Sequence, residues 1–317
     1  MRPVTQGKSE FHLHRGSPQK GKLALRHWQL YVLLLPLIVF FILFKYVPMY
    51  GIQIAFRDFS PTLGFWNSPW VGMQHFRRFF SSPDFKIVIK NTLTISLLNL
   101  AFGFPLPIII SLLLNQVRAR RYKHLVQNMI YAPYFISTVV MVGILQAFLS
   151  PSTGIINQIL IKLGGESIFF MGDPQYFKAI YVISEIWQTT GWGTVIYLAA
   201  LSGVSPDLYE AAVVDGATKW QRMIRIDLPC IMPTAIIQLI LSTGKMFSIG
   251  YEKIFLMQNS LNRTVSEVIS TYEYKQGILQ SQFGYSAAIG LFNAVINLVI
   301  LLTVNYLANK YSETSLW

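Results

Sequence analysis

Polar and ionisable side chains recur at helical spacing inside segments that are otherwise apolar. Glu185, Gln188 and Trp192 follow one another at intervals of three and four residues, so they share one face of a helix. Two later apolar segments carry similar sets, Gln238, Ser242 and Lys245 in one and Asn293 and Asn297 in the other. Hydrogen-bonding groups and an aromatic face within an apolar wall are the chemistry that holds a polar solute. These residues are candidates for a solute pathway, although polar groups in such segments also serve to join helices to one another.

Enzymatic chemistry has little support in the sequence. No phosphate-binding loop, zinc-protease or dinucleotide-binding pattern is present. The histidines all lie outside the apolar segments: His12, His14, His27, His75 and His124. Cys230 is the single cysteine, which excludes an intrachain disulfide and a thiol-rich metal site. We therefore expect no catalytic residue, no metal site and no cofactor bound by this chain.

The composition places the candidate residues in a membrane. Of the 317 residues, 53% are hydrophobic and only 13% are charged, whereas soluble domains carry about 25% charged residues. The net charge of +12 would also suit a nucleic-acid partner. The basic residues, however, flank apolar segments and form no stripe with interleaved aromatics. We expect membrane lipid around this protein and no nucleic acid.

Six apolar segments approach the roughly 20 residues needed to cross a hydrocarbon core about 30 Å thick. They span about residues 29–47, 91–114, 129–149, 177–201, 231–250 and 285–306. Gly103, Pro105 and Pro107 predict a kink in the second. The first lies behind a long polar segment without a small-residue cleavage site, so we expect it to remain as an anchor. The predicted fold class is an all-α polytopic membrane protein with six transmembrane helices.

Basic residues near the segment ends indicate the orientation, because cytoplasmic flanks retain positive charge. The N-terminal segment is basic, and a second cluster follows the second apolar segment: Arg118, Arg120, Arg121 and Lys123. Both termini are therefore expected in the cytoplasm. This gives a cytoplasmic segment 1–28, a six-helix domain 29–307 with an external loop at about 48–88 and a cytoplasmic loop at about 203–230, and a cytoplasmic tail 308–317. The external loop also holds basic residues, but long loops follow the rule weakly.

Glu185 and Lys245 are ionisable residues inside predicted spanning helices. A charge at membrane depth costs at least about 2.5 kcal/mol and is rarely found there without a partner. Both residues lie at similar depth below the outer ends of their segments. We expect them either to pair with each other or to line the outer half of a pathway, where Lys245 would meet a solute carboxylate.

The cytoplasmic loop 203–230 reads as a helix, a glycine turn and a second helix. Ser205 is a suitable N-cap for the first helix, and Gly216 ends it. Thr218 and Gln221 predict a capping box at the start of the second helix, and Pro229 is expected to stop it. Such a compact module on one side of a bundle is suited to being held by another protein.

The spacing within this loop resembles the EAA loop of permease subunits of binding-protein-dependent ABC importers. The matching positions are Glu210, Ala211, Ala212, Asp215, Gly216 and Ala217, followed at the family's interval by Ile226, Leu228 and Pro229. The external residues 46–59 and 68–72 resemble the polysaccharide and oligosaccharide branch of these permeases. Together the resemblance extends over essentially the whole chain.

The resemblance implies a division of labour. This chain would be one of two permease subunits in the bacterial cytoplasmic membrane, and two cytoplasmic ATPase subunits would bind ATP and Mg²⁺. An extracytoplasmic solute-binding protein would deliver an oligosaccharide. By position, the helix that carries Glu210 would dock on an ATPase subunit, with Glu210 as a charge contact and Gly216 as the turn.

Three other functions are compatible with parts of the sequence. An ABC permease for another small solute shares the loop. A secondary transporter would show an internal repeat with interrupted helices, and no convincing repeat is present. An intramembrane enzyme such as a glycosyltransferase would need a carboxylate or histidine cluster at a membrane surface, and none stands out. ATP-driven oligosaccharide import is the function that the sequence favours.

Overall fold

The computed structural model describes residues 28–312 and 314–316, which are almost entirely helical. Within these residues no β-sheet forms, and extended pairing is limited to an antiparallel bridge between Arg57 and Trp70. The all-α class is confirmed. Of the predicted cytoplasmic segment 1–28, all but Trp28 lies outside the described residues.

The helices are numbered here along the chain. They are α1 (Trp28–Phe56), α2 (Gly64–Asn67), α3 (Gln74–Ser81), α4 (Pro83–Asn115), α5 (Arg120–Phe135), α6 (Thr138–Phe148), α7 (Ile155–Lys162), α8 (Pro174–Ser202), α9 (Pro206–Val214), α10 (Lys219–Thr243), α11 (Tyr251–Met257), α12 (Arg263–Ser266), α13 (Ile269–Tyr274) and α14 (Phe283–Ser312).

Four of these helices are long and apolar enough to cross a membrane: α1, α4, α10 and α14. Helices α5 and α6 meet at an angle of 98° and make a fifth span if the bent pair is counted as one. Helix α8 has 29 residues, about 43 Å at 1.5 Å per residue, but its polar residues keep it from qualifying by composition. Helix covers most of the predicted segments, but the prediction of a fifth helix through residue 250 is wrong, because α10 ends at Thr243 and a turn follows it. The count of six spans and the side of each terminus stay predictions.

The chain divides into two units, residues 1–53 and residues 54–317. The described part of the first unit is one helical segment, and its apolar side chains are exposed along its length. Such a surface is suited to lipid.

Helix α8 runs through the middle of the second unit, which explains how it tolerates polar residues. It packs against α4, α5, α10 and α12. Tyr181 joins one buried apolar cluster with Ile95 and Ile254, and Tyr197 joins another with Ile231. Polar side chains on α8 therefore face protein, where hydrogen-bond partners are within reach.

In α4 and in α10, a wider π-helical turn lies shortly before a proline inside the helix. Residues Asn99–Gly103 of α4 form such a turn before Pro105, and Met223–Asp227 of α10 form one before Pro229. A proline has no N–H to donate, and the wider turn re-routes the neighbouring hydrogen bonds. The prediction that Pro229 stops its helix is therefore wrong, because α10 continues to Thr243.

The segment between α1 and α4, which is part of the predicted external loop, is ordered by contacts between its own residues. The Nη1 atom of Arg57 donates to the carbonyl oxygen of Ser68 at 2.8 Å, and its guanidinium lies 5.6 Å from the ring centroid of Trp70. Phe56 stacks on Trp70 at 5.5 Å. The segment also packs against α14, where Phe76 joins a buried cluster with Ala288. Its position outside the membrane stays a prediction.

Candidate functional site

A cavity of about 470 Å³ lies between α4, α8, α10 and the turn that follows α10. Five residues predicted for a solute pathway line it together: Glu185, Trp192, Gln238, Ser242 and Lys245. A smaller cavity of about 210 Å³ shares four lining residues with it: Tyr181, Glu185, Thr189 and Gly250. The two cavities therefore share a wall that includes Glu185.

The Glu185 carboxylate is paired, but its partner differs from the expected one. The Nζ atom of Lys253 donates to the Oε2 atom of Glu185 at 2.8 Å. The same ammonium lies 5.5 Å from the ring centroid of Tyr181. The prediction that Glu185 pairs with Lys245 is wrong because α11 brings a nearer ammonium to the carboxylate. Both residues line the larger cavity, and the alternative expectation, that they line the outer half of a pathway, stays a prediction.

Lys245 is held in a tight turn directly after α10. Its backbone N–H donates to the carbonyl oxygen of Ser242 at 3.2 Å, and its own carbonyl oxygen accepts from the N–H of Ser248 at 2.9 Å. The side chain is exposed and makes neither a hydrogen bond nor an ion pair with the residues that the structure describes. The cavity wall therefore carries an ammonium group whose charge is available to a ligand.

An aromatic platform borders the cavities. The rings of Tyr134 and Trp192 stack with centroids 4.9 Å apart and planes 8° from parallel. Trp192 lines the larger cavity and Tyr134 the smaller. Trp187, the other tryptophan of α8, is half exposed and lines neither cavity. Stacked rings beside polar groups present a flat apolar surface to a ring-shaped solute.

Three predicted pathway amides have other surroundings. The Nε2 atom of Gln188, which lines the smaller cavity, donates to the carbonyl oxygen of Ile136 at 2.8 Å and so ties α8 to the break between α5 and α6. Asn297 accepts from the N–H of Phe247 at 3.0 Å and supports the turn that carries Lys245. The Oδ1 atom of Asn293 is buried without a hydrogen-bond partner among the described residues. Neither asparagine lines either of these two cavities.

Sequence reasoning missed Lys253 and Tyr134 as cavity residues. Lys253 lies on α11, a seven-residue helix in a region taken only as a connection between the fifth and sixth segments. A signal was available, since Lys253 precedes the apolar residues Ile254 to Met257, and a lysine in such a run usually has a partner. Tyr134 gave no comparable signal, because its stacking on Trp192 depends on the bend between α5 and α6.

The loop that resembled a docking module has the expected local geometry. The Oγ atom of Ser205 accepts from the N–H of Asp207 and caps α9. Gly216 has a φ of +74°. The N–H of Ala217 donates to the carbonyl oxygen of Ala212 at 2.8 Å, and that of Gly216 to Val213 at 3.0 Å. This pair of hydrogen bonds is a Schellman motif, which explains why glycine ends the helix.

The second helix of the loop begins with the predicted capping box. The N–H of Thr218 donates to the Oε1 atom of Gln221 at 2.8 Å, and the N–H of Gln221 donates to the Oγ1 atom of Thr218 at 3.3 Å. Of the other positions carried over from the resemblance, Glu210, Ala211, Asp215 and Pro229 are exposed, and Ala212, Ala217, Ile226 and Leu228 are half-buried. No contact within this chain uses the Glu210 carboxylate, as far as the structure describes it.

Large apolar side chains on this loop are also exposed, and sequence reasoning did not single them out. The exposed fractions are 49% for Leu208, 56% for Val213, 87% for Val214 and 63% for Trp220. Exposed large apolar side chains beside charged residues are suited to a protein interface. The loop therefore has both the backbone rigidity and the surface of a docking module.

Comparison with known proteins gives a consistent result. Residues 103–313 match the family model described as binding-protein-dependent transport system inner membrane component. The chain is 45% identical over 288 residues to Protein LplB of Bacillus subtilis (strain 168), with 91% of each chain covered. It is 44% identical over 288 residues to the polygalacturonan/rhamnogalacturonan transport system permease protein YteP of the same organism, covering 91% of this chain and 90% of that one.

Among solved structures, the fold is similar to a chain of a bacterial alginate ABC transporter in complex with alginate pentasaccharide-bound periplasmic protein. The TM-score is 0.86 at 41% sequence identity, covering 93% of this chain and 99% of that one. The similarity therefore extends over most of the chain.

Proposed function

The chain belongs to the family of inner membrane components of binding-protein-dependent transport systems, and on that basis we propose that it forms half of the pathway of an ATP-driven importer of acidic oligosaccharides. As a member of this family it is a multi-pass permease subunit of the bacterial inner membrane, not an enzyme. The proposal concerns its substrate, its partners and the way in which it is driven.

The observation that carries the substrate class is the free ammonium of Lys245 in the cavity wall. The negative charge of Glu185 is offset by Lys253 at 2.8 Å, so Lys245 leaves the larger cavity with a positive charge. A carboxylate is the natural ligand of such a group, because a charge-assisted hydrogen bond is about twice as strong as a neutral one. Glu252 lines the smaller cavity and would steer a carboxylate towards the larger one.

The rest of the larger cavity is suited to a sugar. Asn99, Gln238 and Ser242 offer hydrogen-bonding groups to hydroxyls, and Trp192 stacked on Tyr134 offers a platform to a sugar ring. The names of two similar proteins are in keeping with this class, since one transports polygalacturonan or rhamnogalacturonan and the other imports the acidic polysaccharide alginate.

The partners follow from the family and the loop. A second permease subunit would complete the pathway, and an extracytoplasmic binding protein would deliver the oligosaccharide. Two ATPase subunits would bind ATP and Mg²⁺ and receive α9, with Glu210 and the exposed apolar side chains of the loop at the contact. Closure of the ATPase pair would then shift the permease between two packed states, which requires that the ATPase binds those states with different affinity.

Reconstitution of the importer with its partner subunits tests this function. Proteoliposomes that contain ATP and are supplied with the binding protein should accumulate a uronic-acid oligosaccharide, and should accumulate a neutral oligosaccharide of equal length far less. Uptake that follows an ion gradient without ATP would identify a secondary transporter. ATP-driven uptake of another small solute, with no oligosaccharide uptake, would place the protein elsewhere among ABC permeases.

A further inference from the structure

A buried carboxylate lies where the predicted cytoplasmic loop, residues 203–230, joins the long helices α4 and α10. Asp227 is fully buried, with 0% of its surface exposed. It occupies the last position of the π-helical turn Met223–Asp227, just before Pro229. No basic side chain lies within ion-pair distance of it in the parts of the chain that the structure describes. A buried carboxylate without a basic partner requires hydrogen-bond donors.

The donors come from two other helices. The Nε2 atom of Gln116, at the end of α4, donates to the Oδ2 atom of Asp227 at 2.6 Å. The Nδ2 atom of Asn115 donates to the Oδ1 atom at 3.3 Å, and the hydroxyl of Tyr209 on α9 donates to the same oxygen. Asn115 also donates to the Tyr209 oxygen at 3.4 Å. One carboxylate thus gathers α4, α9 and α10 at a single point.

Helix α9 depends on this point for its attachment. It contributes no fully buried side chain to the fold, so apolar packing holds it weakly. Tyr209 is half-buried and supplies side-chain hydrogen bonds that leave α9 for the other two helices. Burial and the hydrogen bond to Asp227 raise the pKa of Tyr209 to about 12. The hydroxyl is therefore protonated, and donates, at physiological pH.

Helix α4 extends from the hydrogen bonds at Asp227 to the larger cavity. Asn99 on α4 lines the cavity, and it lies sixteen residues before Asn115 on that helix, about 24 Å along its axis. Glu210, the residue after Tyr209, is exposed on a different face of α9. Helix α9 therefore presents one face to a partner and another to the carboxylate that holds α4.

We propose that Asp227 is the joint that transmits movement of α9 to α4, which makes it a positioning residue for transport. The inference rests on the proposed docking of α9 on an ATPase subunit. When the ATPase moves α9, the hydrogen bonds from Tyr209, Asn115 and Gln116 to one carboxylate oblige the end of α4 to follow. Without them, α9 would move with the ATPase while the cavity helix stayed in place.

The test compares transport with ATP hydrolysis in the complete importer, purified with its partners and reconstituted. Tyr209→Phe removes the link from α9, Gln116→Ala removes a link from α4, and Asp227→Asn keeps the size of the side chain while removing its charge. Tyr122→Phe, at an exposed tyrosine on α5, is the matched control. We expect the three variants to retain ATPase subunits and ATP hydrolysis, but to transport at least fivefold less substrate per ATP, with the control unchanged.

Two results would overturn the proposal: an unchanged ratio of transport to hydrolysis in all three variants, or a parallel loss of both activities, which would mark Asp227 as a purely structural group. A failure of the proposed docking of α9 on an ATPase subunit has a different signature. In that case the unaltered chain would not co-purify with an ATPase subunit, and no variant would be needed to see it.

Discussion

The Nζ atom of Lys253 lies 2.8 Å from the Oε2 atom of Glu185, with 4% and 31% of the two side chains exposed. The contact joins α11 to the middle of α8 across 68 positions of sequence. Removing one partner of a fully buried pair costs about 3–5 kcal/mol, and the partial exposure of Glu185 lowers that cost here. The pair stabilises the wall shared by the two cavities.

We predict that charge reversal at this pair is harmful singly and partly corrected when combined. Glu185→Lys and Lys253→Glu should each reduce transport about tenfold or more, because each leaves two like charges in a poorly hydrated site. The double variant should recover part of the loss. Transport by the reconstituted importer measures the effect.

The matched control is the pair that sequence reasoning first suggested. Glu185→Lys combined with Lys245→Glu should show no recovery, since Lys245 makes no ion pair with Glu185. Recovery in that combination, and none with Lys253, would contradict the observed pairing.

The turn at Gly216 should tolerate few side chains. Its φ of +74° is strained for other residues, yet a Cβ atom there would have no neighbour within 4 Å. The cost of substitution is therefore conformational, about 1–2 kcal/mol for an ordinary side chain and more for a β-branched one. Gly216→Val should reduce co-purification of the ATPase subunit, and Gly216→Asn should be nearly neutral, because asparagine adopts this conformation more readily.

Gly203→Ala is the control for this substitution, since Gly203 has an ordinary φ of −86° and also lies in the predicted cytoplasmic loop. Equal ATPase binding by Gly216→Val and the unaltered chain would show that this turn does not shape the docking surface.

Charge reversal at Glu210 should weaken docking without unfolding the permease. The residue is exposed, so Glu210→Lys removes no internal contact and its effect falls on the partner. ATP hydrolysis stimulated by the permease should decrease several-fold, while the amount of permease in the membrane stays the same. Glu166→Lys, at an exposed residue outside the loop, should have no effect. If both variants behave alike, the charge of Glu210 has no role in docking.

The side of the membrane on which each loop lies can be read from cysteine labelling in a Cys230→Ser background. Thr62 and Asn67 are exposed in the ordered segment before α4, so a single cysteine at either position should react with an impermeant thiol reagent added outside intact cells. Val214→Cys, at the tip of α9 with 87% of its surface exposed, should react only after the membrane is opened. The reverse pattern would invert the orientation.

Local signals were read correctly from the sequence because they depend on neighbouring residues. The cap at Ser205, the glycine turn at Gly216 and the capping box at Thr218 each involve residues no more than five apart. Pro229 was misread because a proline is accommodated either by ending a helix or by a wider turn, and tertiary packing decides between them.

Contacts between distant segments could not be read in this way. The spacing of Glu185, Gln188 and Trp192 indicated a polar face on α8, but it did not indicate which residues contact that face. The pairing of Glu185 with Lys253, instead of Lys245, depends on where the short helix α11 packs. The network around Asp227 likewise unites residues more than 100 positions apart, for which a single sequence has no periodic signal.

The most direct test of the proposed function is substrate selectivity after neutralisation of Lys245. In proteoliposomes that contain ATP and are supplied with the binding protein, Lys245→Gln should reduce uptake of a uronic-acid oligosaccharide about tenfold, because one charge-assisted hydrogen bond contributes roughly 1.5–3 kcal/mol. Uptake of a neutral oligosaccharide of equal length should not decrease. Lys162→Gln, at an exposed lysine on α7 outside both cavities, should alter neither. Equal loss of both substrates, or no loss of the acidic one, would contradict the assignment of this cavity to an acidic sugar.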